Sequence, residues 1–206
     1  MRNYLEPTIS FQKKLTDTFH TITAPAEAEF KDKGSKFLAF AFPISKESDV
    51  KVNLEALKKM HPKAVHHCFA YKIGAETRAN DDGEPSGSAG KPILNVILSK
   101  QLNQILVVVV RYFGGTLLGV SGLINAYKMA TANALSSAII IEKTIDEVHE
   151  IEFAFENMNA IMKVLKDHSA KILSQGYTSN YTISFEIRRS LVAVVLEEIE
   201  KVKRGW

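Results

Sequence analysis

Residues 105–127 read ILVVVVRYFGGTLLGVSGLINAY. The opening run, Ile105 to Val110, is six aliphatic residues long. A bilayer takes about 20 apolar residues to cross, so the run is no membrane span. It is also too uniformly apolar for a strand with one wet face, so it predicts a strand buried on both faces. A turn follows that carries Gly114, Gly115 and Gly119. Beyond it, Leu123, Ile124, Tyr127, Ala130 and Ala134 recur at helical spacing, and Ser121 is expected to cap the helix they form. A strand, a glycine turn and a helix start together present free backbone N–H groups and a positive dipole end, which suits an anion such as phosphate. The glycine spacing does not fit the dinucleotide fingerprint G-x-G-x-x-G. The competing reading is that Gly114, Gly115, Gly119 and Gly122 only let the helix pack closely on the sheet.

Working outward, Phe37–Ile44 reads as a strand, Ser48–Met60 as a helix closed by Pro62, and Val65–Ile73 as a second strand. Residues 74–90 read as a long polar loop, and Pro92 sits at the first turn of a short helix running through Leu98. The charged stretch Glu142 to Glu147 breaks the pattern, which places one domain over residues 1–140 and a second over 141–206. In the tail, Val148–Phe155 alternates as a half-buried strand and Asn157–Leu165 reads as a helix. Ile172–Tyr177 and Tyr181–Ile187 pair as a hairpin, and Leu191–Val202 is a final amphipathic helix. This βαββα order predicts a ferredoxin-like α+β unit that lacks its last strand.

Composition agrees with such a two-domain α+β chain. The 206 residues are 46% hydrophobic and 24% charged, which excludes global disorder. The single cysteine, Cys68, excludes an intramolecular disulfide framework and any multi-cysteine metal site, and fits a reducing compartment. Arg2, Tyr4, Leu5, Glu6 and Pro7 form no apolar leader, so the expected location is cytoplasmic, with no membrane partner. The net charge of +3 divides unevenly. Residues 1–140 carry 17 Lys/Arg against 12 Asp/Glu, or +5, and residues 141–206 carry 9 against 11, or −2.

A second loop, running from Arg78 to Lys91, reads RANDDGEPSGSAGK. Asp81, Asp82 and Glu84 are of the type that holds a hard cation through oxygen ligands. That opens the alternative of a small metal-dependent hydrolase, with the substrate anion at Gly114 to Ser121. The bland readings are a solvated turn, or a turn whose Asp carboxylates cap backbone N–H groups and pair Arg78 or Arg111. A P-loop is excluded because Pro85 and Pro92 stand where the motif needs Gly and Ser/Thr. His66 and His67 are adjacent in a strand and point to opposite faces, so they do not chelate one metal together, and Cys68 next to them reads as a small buried hydrophobe. No G-x-S-x-G elbow is present, so no nucleophile is evident. Phe69, Tyr71, Tyr112 and Phe113 lie near Lys72, Arg78, Lys91 and Arg111, a mixture that suits single-stranded nucleic acid.

Four ordered motifs carry a resemblance: KGSKFLAFAFPI at 33–44, HHCFAYKIG at 66–74, NDDGEPSGSAGK at 80–91 and VVVRYFGGTLLGVSGLINAY at 108–127. Over roughly residues 20–135 the chain resembles the IMPACT/YigZ family, and its tail resembles the small C-terminal domain of the bacterial members. The resemblance implies a ribosomal S-five domain-two-like α/β sandwich followed by a ferredoxin-like domain similar to elongation factor G domain V. It further implies a cytoplasmic, non-enzymatic regulator linked to translation that binds RNA, the ribosome or a protein of the translation machinery, with no cofactor. The implied binding residues are Arg78, Asp81, Asp82, Glu84, Ser86, Gly87, Gly90 and Lys91 in one loop. In the other they are Arg111, Tyr112, Gly114, Gly115, Gly119 and Gly122, to which the reading of the helix start adds Ser121. The chain departs from the family pattern at Leu117, Ser121 and Asn125, where the pattern has lysine, glycine and arginine. Two cations are thereby missing from the helix start.

Overall fold

A computed structural model describes residues 17–205. They form two compact units, Phe19–Lys143 and a second that starts at Thr144 and also takes in Asp17 and Thr18. The expectation drawn from Arg2 to Pro7 lies outside the described residues. No helix among the described residues is long and apolar enough to cross a membrane.

The first unit is built on a five-stranded sheet. Its strands are β2 (Ala26–Asp32), β3 (Ser35–Pro43), β6 (Ile105–Tyr112), β4 (His66–Ile73) and β5 (Glu76–Asn80), in that spatial order and antiparallel throughout. The central strand is β6, and its aliphatic run has the physical consequence expected of it. Ile105, Val107 and Val109 point into a core shared with helices α2 (Gly90–Ser99) and α3 (Gly119–Ser137). Leu106, Val108 and Val110 point the other way, into a core shared with α1 (Glu47–Met60). Each of these side chains is fully buried, which contributes about 1.5–3 kcal/mol apiece. Burial on both faces is thus achieved in an antiparallel sheet, because helices cover both of its sides. Two short strands, β1 (Thr18–Ile22) and β7 (Ile140–Thr144), pair where the chain enters and leaves this unit.

Three details differ from the expectations. The loop over 74–90 contains β5, an edge strand exposed at every residue, whose sequence ETRAN has no apolar alternation to announce it. Helix α3 begins at Gly119 with Leu118 in the N-cap position, and Ser121 lies exposed inside its first turn without capping it. Leu118 is drawn into the core, and the turn is taken by Gly119 at φ +70°, a conformation that favours glycine. Strands β1, β2 and β7 have no counterpart in the sequence reading, and the charged stretch Glu142–Glu147 falls on β7, which ends at Thr144, and on the next strand, which starts at Asp146.

The second unit holds β8 (Asp146–Phe153), α4 (Met158–Asp167), β9 (Lys171–Tyr177), β10 (Tyr181–Arg188) and α5 (Val192–Arg204). The sheet order is β8-β10-β9, antiparallel, which is the order of a ferredoxin-like sheet without its fourth strand. Ile151, Phe153, Ile183, Phe185 and Ile187 face Ile161 and Leu165 of α4 and Val195 and Ile199 of α5. Both units are α+β.

Candidate functional site

The acidic loop is organised by its own backbone. Asp81 accepts hydrogen bonds from the N–H groups of Gly87 at 2.8 Å, Ala89 at 3.0 Å and Gly90 at 2.8 Å. It therefore serves as the N-terminal anchor of α2, a role the cap residue Ala89 has no side chain to fill. Burial raises its pKa, and the three N–H donors outweigh that and hold the carboxyl below its usual value. Gly87 takes φ +74° to turn the chain back, and a Cβ on Gly90 would stand 2.5 Å from the backbone nitrogen of Asn80. Asp82 accepts the N–H of His67 at 2.6 Å and so ties the loop to β4.

Glu84 turns inward instead. It is 8% exposed, and its Oε1 accepts from Arg111 Nη1 at 2.6 Å and from the Tyr127 hydroxyl at 2.7 Å. Arg111, at the end of β6, is 6% exposed, and its guanidinium carbon lies 5.4 Å from the ring centre of Phe37 and 5.8 Å from that of Phe113. Arg111 Nε is buried with no hydrogen-bond partner among the described residues. Beneath this pair, Cys68 Sγ lies 3.2 Å from the Tyr127 hydroxyl and 3.0 Å from the Asp81 carbonyl. Burial pushes the thiol up to about 12 and raises Tyr127 as well, so both stay protonated and neither is an activated nucleophile. The Asp82 carbonyl lies 2.7 Å from His66 Nδ1 and can only accept, so that nitrogen carries a proton and Nε2 is left 3.9 Å from Glu84.

Above these groups opens a cavity of about 440 Å³. Its polar floor is His66, Glu84 and Arg111, and its walls include Val65, Pro85, Phe113, Leu117 and Leu118. Phe113, Leu117 and Val120 are 48%, 83% and 53% exposed at the rim. The two loops singled out in the sequence therefore meet here, through Glu84 and Pro85 of one and Arg111 and the 117–120 segment of the other. Gly114 keeps the rim tight. Its N–H donates to Ser35 Oγ at 3.1 Å, and a Cβ would fall 1.9 Å from the carbonyl carbon of Gly34.

Several residues expected at the site lie elsewhere. Tyr112 follows Arg111 on a strand, so it faces the opposite side of the sheet, where its hydroxyl meets His61 Nδ1 at 3.0 Å. Arg78 sits exposed on β5 and pairs with Glu47, not with the acidic loop. Ser86 and Ser121 are exposed, Gly115 has open space around its Cα, Gly122 lies inside α3, and Lys91 borders a different hollow with Lys128 between α2 and α3. Asp81, Asp82 and Glu84, the carboxylates of the alternative cation reading, are turned to separate partners. No cluster of three His, Cys, Asp or Glu side chains among the described residues is arranged to hold a metal ion. Phe113, Leu117 and Tyr127 also belong to the site, although none is among the implied binding residues and Phe113 entered the sequence reading only as one of the aromatics that suit single-stranded nucleic acid. The signal for the first two was large apolar residues in a glycine turn, where water would ordinarily select polar ones.

Comparison with known proteins places this architecture. Residues 33–135 match the model of the Impact N-terminal domain, which spans all four sequence motifs. An IMPACT family member of Haemophilus influenzae is 32% identical over 181 residues, covering 84% of this chain and 86% of that protein. An IMPACT family member from Thermus thermophilus is 44% identical over 104 residues, 50% of this chain and 56% of its own length. A solved crystal structure of a hypothetical protein superposes with a TM-score of 0.75 at 28% identity, covering 93% of this chain and 95% of that one. With its four motifs inside the matched domain and a relative aligned along most of its length, the chain belongs to the IMPACT family.

Proposed function

We propose that this chain is a cytoplasmic, translation-linked regulatory module that acts by docking a protein surface of the translation machinery, not by catalysis. The docking site is the cleft between the 81–90 loop and the 113–123 segment. The observation that carries this reading is the contrast between floor and rim. The charged floor groups Glu84 and Arg111 are spent on each other, whereas Phe113, Leu117 and Val120 stand exposed around the opening. Exposed aromatic and aliphatic side chains around a concave site favour a protein partner. A phosphate backbone is bound by cations, and the family's lysine and arginine positions at this helix start are Leu117 and Asn125.

The test is co-sedimentation of the full chain with purified ribosomes. An apolar contact keeps the chain in the pellet from about 0.1 M to about 0.5 M salt, because screening weakens only charge contacts. Leu117→Asp with Val120→Asp releases it. Binding that vanishes with salt and is reproduced by free ribosomal RNA would transfer the function to phosphate recognition.

A further inference from the structure

The second unit carries a surface of different chemistry. Between α4 and the start of β9 lies an open groove of about 810 Å³. Its floor is apolar, made by the half-buried Met162, Ala170 and Ile172 over the fully buried Leu165. Three ammonium groups stand on its rim: Lys163 and Lys166, one helical turn apart on α4, and Lys171 at the first position of β9. Lys171 reaches Glu186 at 3.6 Å, across the strand pair. Lys163 and Lys166 have no carboxylate partner among the described residues, and Asp167, their neighbour in sequence, does not line the groove. Lys166 also complements the negative end of α4, which accounts for one lysine but not for the grouping of three. This positive rim belongs to a segment, residues 141–206, whose own net charge is −2.

We propose that this groove docks an acidic segment of a partner polypeptide, seating an aliphatic side chain on the floor and its carboxylates against Lys163, Lys166 and Lys171. Charge complementarity sets the sign of the partner. The floor sets its class, because it offers no aromatic ring on which a base would stack. Concavity disfavours a lipid surface: binding in the interface plane needs apolar side chains that protrude, and Leu165 is fully buried. The groove is separate from the cleft of the first unit and does not depend on what that cleft binds.

The test uses the full chain and a short fluorescein-labelled peptide built of Glu and Leu, followed by fluorescence anisotropy at low salt. Lys163→Glu with Lys166→Glu is expected to weaken binding about tenfold or more, equivalent to about 1.4 kcal/mol. Both positions are exposed, and an unchanged circular dichroism spectrum shows that the fold is retained. Replacing Leu by Ser in the peptide is expected to cost a similar factor. Equal binding by the variant, or by the Glu-Ser peptide, overturns the proposal. So does tighter capture of a short RNA or of phosphatidylserine vesicles that the same double variant abolishes. Self-association of the chain that the variant abolishes overturns it in favour of a second copy as the occupant.

Discussion

The two units bury their sheets in different ways, and the difference decides where polar chemistry is held. In the first unit the sheet lies between helix layers, so its central strand has no wet face and Arg111, at the end of that strand, is forced to find its partner inside the protein. In the second unit helices α4 and α5 share one core with the three-stranded sheet, and alternate residues of β8 such as Val148, Glu150 and Glu152 remain exposed. Its ion pairs, such as Arg189 with Glu147 and Lys201 with Glu197, are solvated and contribute little. A buried charge network thus arises where a strand has no outside, and it makes the first unit the more sensitive to loss of a single charge.

The sharpest way to break this contrast is Glu84→Ala. It leaves the guanidinium of Arg111 buried and unpaired, a loss of about 3–5 kcal/mol. Hydrogen exchange should show protection lost across β3, β6 and β4 while β8 and β10 keep theirs; equal loss in both units would contradict the independence of the two cores. Next in size is Asp81→Ala, which frees three N–H groups at the start of α2 and is expected to cost about 1–3 kcal/mol in denaturant unfolding.

Acid should separate the units as well. Burial lowers the pKa of His67 below 6.5, so the unfolded chain binds this proton more readily than the folded one. The stability it contributes is complete above about pH 6.5 and declines as pH falls through the folded value. The Asp81 carboxyl, also held below its usual 3.8, adds a second loss once pH drops through its own range. Unfolding midpoints of the first unit should therefore fall between about pH 7.5 and about pH 5.5, and His67→Leu should flatten that dependence. The smallest effect on stability is expected of Leu117→Lys with Asn125→Arg, within about 0.5 kcal/mol for two partly or fully exposed positions. The same change should raise affinity for short RNA at low salt in a mobility-shift assay, and no gain would show that the cleft is not placed to use phosphate.

The elements with strong periodicity are legible in the sequence. The aliphatic run 105–110, the helix stripe through Tyr127 and the hairpin around 172–187 all stand where their patterns put them. Strand β5 was not legible, since an exposed edge strand has no core-facing residues to create a period. At the site, the two loops were identifiable from their glycines and carboxylates, but the fate of each carboxylate was not. Asp81, Asp82 and Glu84 look alike as neighbours in a turn, yet one anchors a helix, one ties a strand and one is buried against Arg111. Tyr112 shows the same limit in reverse, because the alternation of a strand separates it from Arg111 whatever their adjacency.

Hydrophobic spacing alone determined the central strand, the helix stripe through Tyr127 and the βαββα tail, because burial acts on every residue of a periodic segment and leaves a pattern several residues long. Pairing was decided only in three dimensions. Glu84 is 27 residues from Arg111 and 43 from Tyr127, and what joins them is that β6 and α3 bring these largely buried groups together, where a charge needs a partner.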